Sequence, residues 1–236
     1  MQGDLLTGSP SGIIGVDEAG KGDYFGPLVI AACFSNESID EAFLKIGLRE
    51  SKKVTDSRAL ALDREIRRLA PCEVVSIGPE KYNELHDKIK NLNRLLAWGH
   101  ARALENLLDK VNPREVVSDQ FGDKSLIENA LLKKGRGIKL IQMHRAESVP
   151  AVAAASILAR AEFLRRLESL SLHYGITFPK GANFLFCSSQ RISLVNNAAH
   201  RLTSTVGSRK TRISPSAKPN CVYVMRSSLS HIVRMR

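Results

Sequence analysis

Short apolar runs alternate along the chain with longer stretches in which apolar positions recur every three or four residues. The runs read as strands and the periodic stretches as helices. Ile13–Asp17 is expected to be a strand. Gly26–Phe34 is expected to be a second, and its unbroken Leu-Val-Ile-Ala-Ala-Cys-Phe predicts burial. Asp56 or Ser57 is placed to cap a helix running toward Leu69. Glu73–Ile77 reads as a short strand. The clearest helix runs from Asn91 to Val111, where Leu92, Leu95, Leu96, Ala103, Leu107 and Val111 recur at helical spacing. Beyond it come a strand over Glu115–Ser118 that ends at Asp119, a helix over Lys124–Lys133 and a strand over Ile138–Gln142. A long helix then runs from Val149 to about Leu172, and its alanine-rich start permits close packing. Strands that alternate with helices predict an α/β fold. Trp98 and Phe121 are expected in the core.

The chemistry concentrates where the first strand should end. Residues 15–22 read Gly-Val-Asp-Glu-Ala-Gly-Lys-Gly. Carboxylate oxygens are the hard ligands that Mg²⁺ and Mn²⁺ select. The glycines allow close backbone approach, and Lys21 offers a cation to a phosphate. Adjacent strand residues face opposite ways, so Asp17 and Glu18 reach one site only if the strand breaks between or just after them. The stretch also approaches a Walker A loop, with Gly15, Gly20 and Lys21 in place. That motif ends in Ser or Thr, and Gly22 stands there instead. Two carboxylates inside a phosphate cradle would repel the anion.

Asp17-Glu18-Ala19-Gly20-Lys21-Gly22-Asp23-Tyr24-Phe25-Gly26-Pro27 resembles the ribonuclease HII/HIII family, and the Gly-Lys-Gly turn resembles the HIII branch. Further pieces similar to the family follow in order: Ser51-Lys52-Lys53, Tyr82-Asn83-Glu84-Leu85, Asn91-Leu92-Asn93, Ser118-Asp119-Gln120-Phe121-Gly122, and Ala146-Glu147 ahead of an alanine-rich helix. The similarity covers about residues 12 to 182. It implies a ribonuclease H-like fold, with a mixed central sheet flanked by helices. It also implies endonucleolytic cleavage of the RNA strand of RNA/DNA hybrids with Mg²⁺ or Mn²⁺. The matching acids, Asp17, Glu18, Asp119 and Glu147, are then the catalytic metal ligands. A glutamate at the fourth position fits the HIII branch. Taken singly, Asp119 or Glu147 reads as readily as a turn former or a helix cap.

Substrate contacts implied by the resemblance are Gly20, Lys21 and Gly22, then Ser51, Lys52 and Lys53, then Asn91 and Asn93. Lys-Lys is otherwise an ordinary solvated loop, and Asn91 serves equally as a helix N-cap. His86, His100 and His144 show no triad or metal spacing and read as structural or surface residues. HIII-type relatives usually carry an N-terminal substrate-binding domain, and none is expected ahead of Ile13.

Composition adds limits. Hydrophobic residues are 43% of 236, enough for a core. No run of about 18 apolar residues occurs, so no membrane helix is expected. Met1–Gly12 has no signal-peptide pattern. Cys33, Cys72, Cys187 and Cys221 are scattered, which predicts free thiols in a reduced cytoplasmic protein. A monomer is expected. The net charge of +11 is unevenly spread. Residues 183–236 hold nine Lys or Arg and no acid, so residues 1–182 carry +2 (11 − 9). The similarity breaks at Asn183. A shifted reading frame is the favoured explanation, and the alternative is a basic tail that holds nucleic acid electrostatically. On that view the catalytic domain is 1–182 and the tail 183–236. A defective nucleic-acid-binding protein is the second functional reading.

Overall fold

The computed structural model describes residues 12–48, 54–119, 124–131, 135, 137–144 and 146–181. Five strands form one mixed sheet: β1 (Ile13–Ala19), β2 (Leu28–Ser35), β3 (Cys72–Ile77), β4 (Glu115–Asp119) and β5 (Leu140–Met143). Their order is β3-β2-β1-β4-β5. β1, β2 and β3 pair antiparallel, whereas β4 and β5 run parallel to β1. Among the described residues, six helices flank it: α1 (Glu37–Lys45), α2 (Asp56–Leu69), α3 (Pro79–Ile89), α4 (Leu92–Leu108), α5 (Lys124–Ala130) and α6 (Pro150–Tyr174). The expected α/β class, with a mixed sheet between helices, is what the chain adopts.

Each face of the sheet has its own core. Val29, Ala31 and Cys33 of β2 pack against α1, α2 and α6. Ile14 and Val16 of β1 and Leu28, Ile30 and Ala32 of β2 pack against α3, α4 and α5. Two-residue alternation on β2 thus feeds both cores, which is why that strand reads as a continuous apolar run. α6 begins with Ala151, Val152, Ala153, Ala154 and Ala155, all buried. A Cβ at Gly15 would lie 2.2 Å from backbone atoms of Ala151 and Val152, so the start of α6 presses directly on β1.

Several boundaries differ from expectation. β1 continues to Ala19, which still pairs with Val29, so the strand ends one residue after its acids, at the Gly20 turn. β2 starts at Leu28 rather than Gly26, after Pro27, which has no N–H to donate. Thr55, not Asp56 or Ser57, caps α2 by accepting from Arg58 N. α1 and α3 were not anticipated. α1 starts at Asn36, whose side chain accepts from Ile39 N, and α3 starts at Pro79. Trp98 is 36% exposed on the outer side of α4 rather than in the core. Phe121 lies outside the described residues.

Candidate active site

Register brings the first two acids together. Val16 pairs with Ser118 on neighbouring parallel strands. The next residue on each strand is Asp17 or Asp119, so these two stand side by side at the carboxyl ends of β1 and β4. Both are on the α6 face. Val117, two residues before Asp119, packs with Val152, and the Asp17 carboxyl bonds Ser156 of α6. Glu147 lies in a 3₁₀ turn, Ala146–Ser148, that leads into α6. Buried Ala146 holds this turn against Val117 and Val152.

Glu18 differs. It follows Val16 on the α4 face, and its Oε2 lies 3.1 Å from Nε2 of His100. Its Oε1 lies 3.5 Å from Lys21 Nζ. Asp17 and Asp119 therefore share the α6 face at the carboxyl edge of the sheet, the turn that carries Glu147 packs on that face, and Glu18 lies on the other. Among the described residues, no three His, Cys, Asp or Glu side chains form a ready metal-holding group.

The environments tune the adjacent acids in opposite directions. Burial raises the Asp17 carboxyl, and the charge of Glu18 raises it further. The Ser156 and Glu18 N hydrogen bonds only partly offset this, and the group reaches about 6. For Glu18, burial also raises the carboxyl. The His100 hydrogen bond, with the charges of His100 and Lys21, outweighs that and holds it below the usual range.

The turn Gly20–Gly26 follows β1. Gly20 has φ 87°, and a Cβ there would meet Pro27 O at 2.1 Å, so only glycine fits. A Cβ at Gly22 would meet nothing within 4 Å. The fold itself does not require glycine at that position, which leaves its surface open to a ligand. The turn is pinned from outside: Asp23 accepts from Gly181 N at 2.5 Å, and Tyr24 N donates to Gly181 O at 3.2 Å. It leads into an antiparallel strand rather than a helix, which excludes the Walker A reading.

The remaining expected contacts separate. Asn91 caps α4, its side chain accepting from Arg94 N at 3.1 Å. That is the helix-capping alternative, and its physical basis is the set of unsatisfied N–H groups at a helix start. Asn93 is half-buried in the first turn of α4. Ser51, Lys52 and Lys53 lie outside the described residues. His144 is exposed. His100 is buried, as the structural reading expects, but its partner Glu18 was not foreseen, because sequence spacing cannot show a contact across 82 residues. One signal was present: His100 lies four residues from both Leu96 and Leu104, on the apolar stripe of α4, where a polar side chain needs a partner.

No helix among the described residues is long and apolar enough to cross a membrane. The profile of the family described as Ribonuclease HII matches residues 14–197, past the break expected at 182. Ribonuclease HIII of Protochlamydia amoebophila (strain UWE25) is 44% identical over 170 residues, covering 72% of this chain and 56% of the relative. Ribonuclease HIII of Chlamydia pneumoniae is 46% identical over 174 residues, covering 72% and 58%. The chain thus spans less than two thirds of these relatives' length. Among solved structures, Bst-RNase HIII in complex with Mn²⁺ aligns with a TM-score of 0.73 at 27% identity, covering 83% of this chain and 65% of that one. The ribonuclease H2 of Pyrococcus horikoshii OT3 aligns with a TM-score of 0.66 at 26% identity, covering 79% and 88%. The family model spans well over half of the chain, and the chain belongs to the ribonuclease HII family.

Proposed function

We propose that the chain is an endonuclease that hydrolyses the RNA strand of RNA/DNA hybrids, leaving 5′-phosphate and 3′-hydroxyl ends. The observation that carries this is the juxtaposition of Asp17 and Asp119 at adjacent strand ends, with Asp17 raised to about 6. Burial first and the charge of Glu18 second make Asp17 costly to ionise, and a cation bound between it and Asp119 would remove that cost. The donor set is all oxygen, which fits Mg²⁺ or Mn²⁺. A similar protein, Bst-RNase HIII, has been solved in complex with Mn²⁺.

In this reading Asp17, Asp119 and Glu147 hold divalent cations from the α6 face, and Glu18 joins them around the strand end at Gly20 through its Oε1. When bound, such ions supply an activated water and charge to stabilise the leaving 3′-oxygen. In the hydrolysis the oxygen of a water bonds to phosphorus as the P–O3′ bond breaks, the water's proton passes to solvent, and the leaving 3′-oxygen takes a proton from solvent. The Gly20-Lys21-Gly22 turn approaches the backbone beside the cut. Its open face at Gly22 suits recognition of the ribose 2′-hydroxyl, which separates RNA from DNA. Lys21 is half-exposed and reaches a phosphate by leaving Glu18. The free thiols Cys33 and Cys72 suit a reducing, cytoplasmic setting.

The test is cleavage of a labelled RNA/DNA hybrid. Activity is expected with Mg²⁺ or Mn²⁺, absent in excess chelator, and lost in Asp17→Asn and Asp119→Asn. Duplex DNA should stay intact. Full activity in chelator, or equal cutting of duplex DNA, would overturn the reading.

A further inference from the structure

We propose that His100 is a positioning residue that fixes the Glu18 carboxylate for divalent-cation binding; this rests on the nuclease reading of the site. His100 is 1% exposed on α4, within the apolar core formed with β1 and β2. Packing alone gives no reason for an imidazole there, because a buried polar group costs free energy unless it is hydrogen-bonded. Its ring reaches the acid of another element: Nε2 lies 3.1 Å from Glu18 Oε2. An ionised carboxylate only accepts, so Nε2–H donates. Either the neutral or the charged ring can make this bond.

The geometry divides the two oxygens of Glu18. Oε2 is held by a ring that is 1% exposed, where α4 packs closely on the sheet. A Cβ at Gly99 would lie 2.6 Å from Ile30 Cδ1. Oε1 faces Lys21, whose side chain is 38% exposed and can swing outward. Oε1 is therefore the oxygen left for a cation, while His100 keeps the carboxylate in one rotamer. Partners behind a ligand orient it in this way, and losing one costs roughly ten- to a hundredfold in metal affinity or activity.

The experiment measures Mn²⁺ binding to the full chain by calorimetry without nucleic acid, and hybrid cleavage as a function of Mg²⁺ concentration. His100→Leu should weaken Mn²⁺ binding roughly ten- to a hundredfold. It should raise the Mg²⁺ needed for half-maximal cleavage by a similar factor, with the rate at saturating Mg²⁺ much less affected. His100→Gln places an amide N–H near the position of Nε2 and should restore most of the affinity. In a Glu18→Gln background, His100→Leu should cost no further Mn²⁺ affinity. Unchanged Mn²⁺ binding in His100→Leu would overturn the inference. So would an equal loss in both backgrounds, or no rescue by Gln. If His100→Leu does not fold by circular dichroism, His100→Asn carries the test, because its shorter amide falls short of Oε2 and should show the leucine phenotype. Cleavage by the wild type with unaltered Mn²⁺ affinity in the variant sinks this inference alone. An inactive wild type whose Mn²⁺ binding still depends on His100 sinks the nuclease reading and leaves the inference standing.

Discussion

At the scale of single residues, Asp17 carries a stored electrostatic cost. An aspartate ordinarily titrates near 3.8, and here it is raised to about 6, first by burial and then by Glu18. Its stabilising contribution is therefore complete below the ordinary value and is lost as pH rises through about 6. The loss amounts to at most about 3 kcal/mol. In chelator, Asp17→Asn should melt higher than the wild type above pH 6, and the gap should close toward pH 4. Mg²⁺ should raise the wild-type melting temperature and leave the variant's nearly unchanged. Thermal melts across pH check this, and a gap that ignores pH would contradict it. The glycines of the neighbouring turn give a second contrast. Gly20→Ala forces a side chain to φ 87° and onto Pro27 O, so it should cost about 2 kcal/mol or more of stability. Gly22→Ala meets nothing within 4 Å and should change stability by no more than about 0.5 kcal/mol. It should nevertheless raise KM for hybrid, since the new methyl group points into the substrate's approach. Melting and kinetics on the two variants separate the roles.

At the scale of elements, α4 both builds a core and reaches the acids. Its start depends on Asn91, which accepts from Arg94 N. Asn91→Ala should cost about 1 kcal/mol of stability and leave KM for hybrid unchanged. A raised KM with an unaltered melting temperature would return Asn91 to the substrate-binding set. This element also shows what the sequence could and could not reveal. The apolar stripe of α4 and the continuous run of β2 follow from local pattern, as does the long α6. α1 and α3 escaped because they are short helices whose burial is slight: α1 buries only Phe43, and α3 only Tyr82 and Asn83. Asp17 and Asp119 were legible as strand ends, and register then makes them neighbours. The opposed faces of Asp17 and Glu18, and the role of His100, depend on long-range packing that no local period encodes. The expected strand break falls one residue past Glu18, because Ala19 keeps its ladder partner and the chain turns at Gly20.

At the scale of the whole molecule, charge decides what binding looks like. Residues 1–182 carry only +2, and nine of the chain's basic residues lie beyond, with no acid among them. The family similarity runs to residue 197, and eight of those nine basic residues follow it: 201, 209, 210, 212, 218, 226, 234 and 236. Such residues can add affinity through counterion release, but they hold no carboxylate for metal chemistry. Affinity and catalysis should therefore separate. Truncation after residue 197 should leave the rate at saturating hybrid nearly unchanged. It should flatten the fall of log affinity with log salt, by roughly 0.9 for each phosphate that is no longer neutralised. Hybrid binding at a series of salt concentrations, beside single-turnover cleavage, makes the comparison. An unchanged salt slope would show that these cations do not touch the substrate. Failure to cleave at saturation would show that residues beyond 197 support the catalytic domain itself, and the division between chemistry in the sheet and attraction in the basic segment would fall.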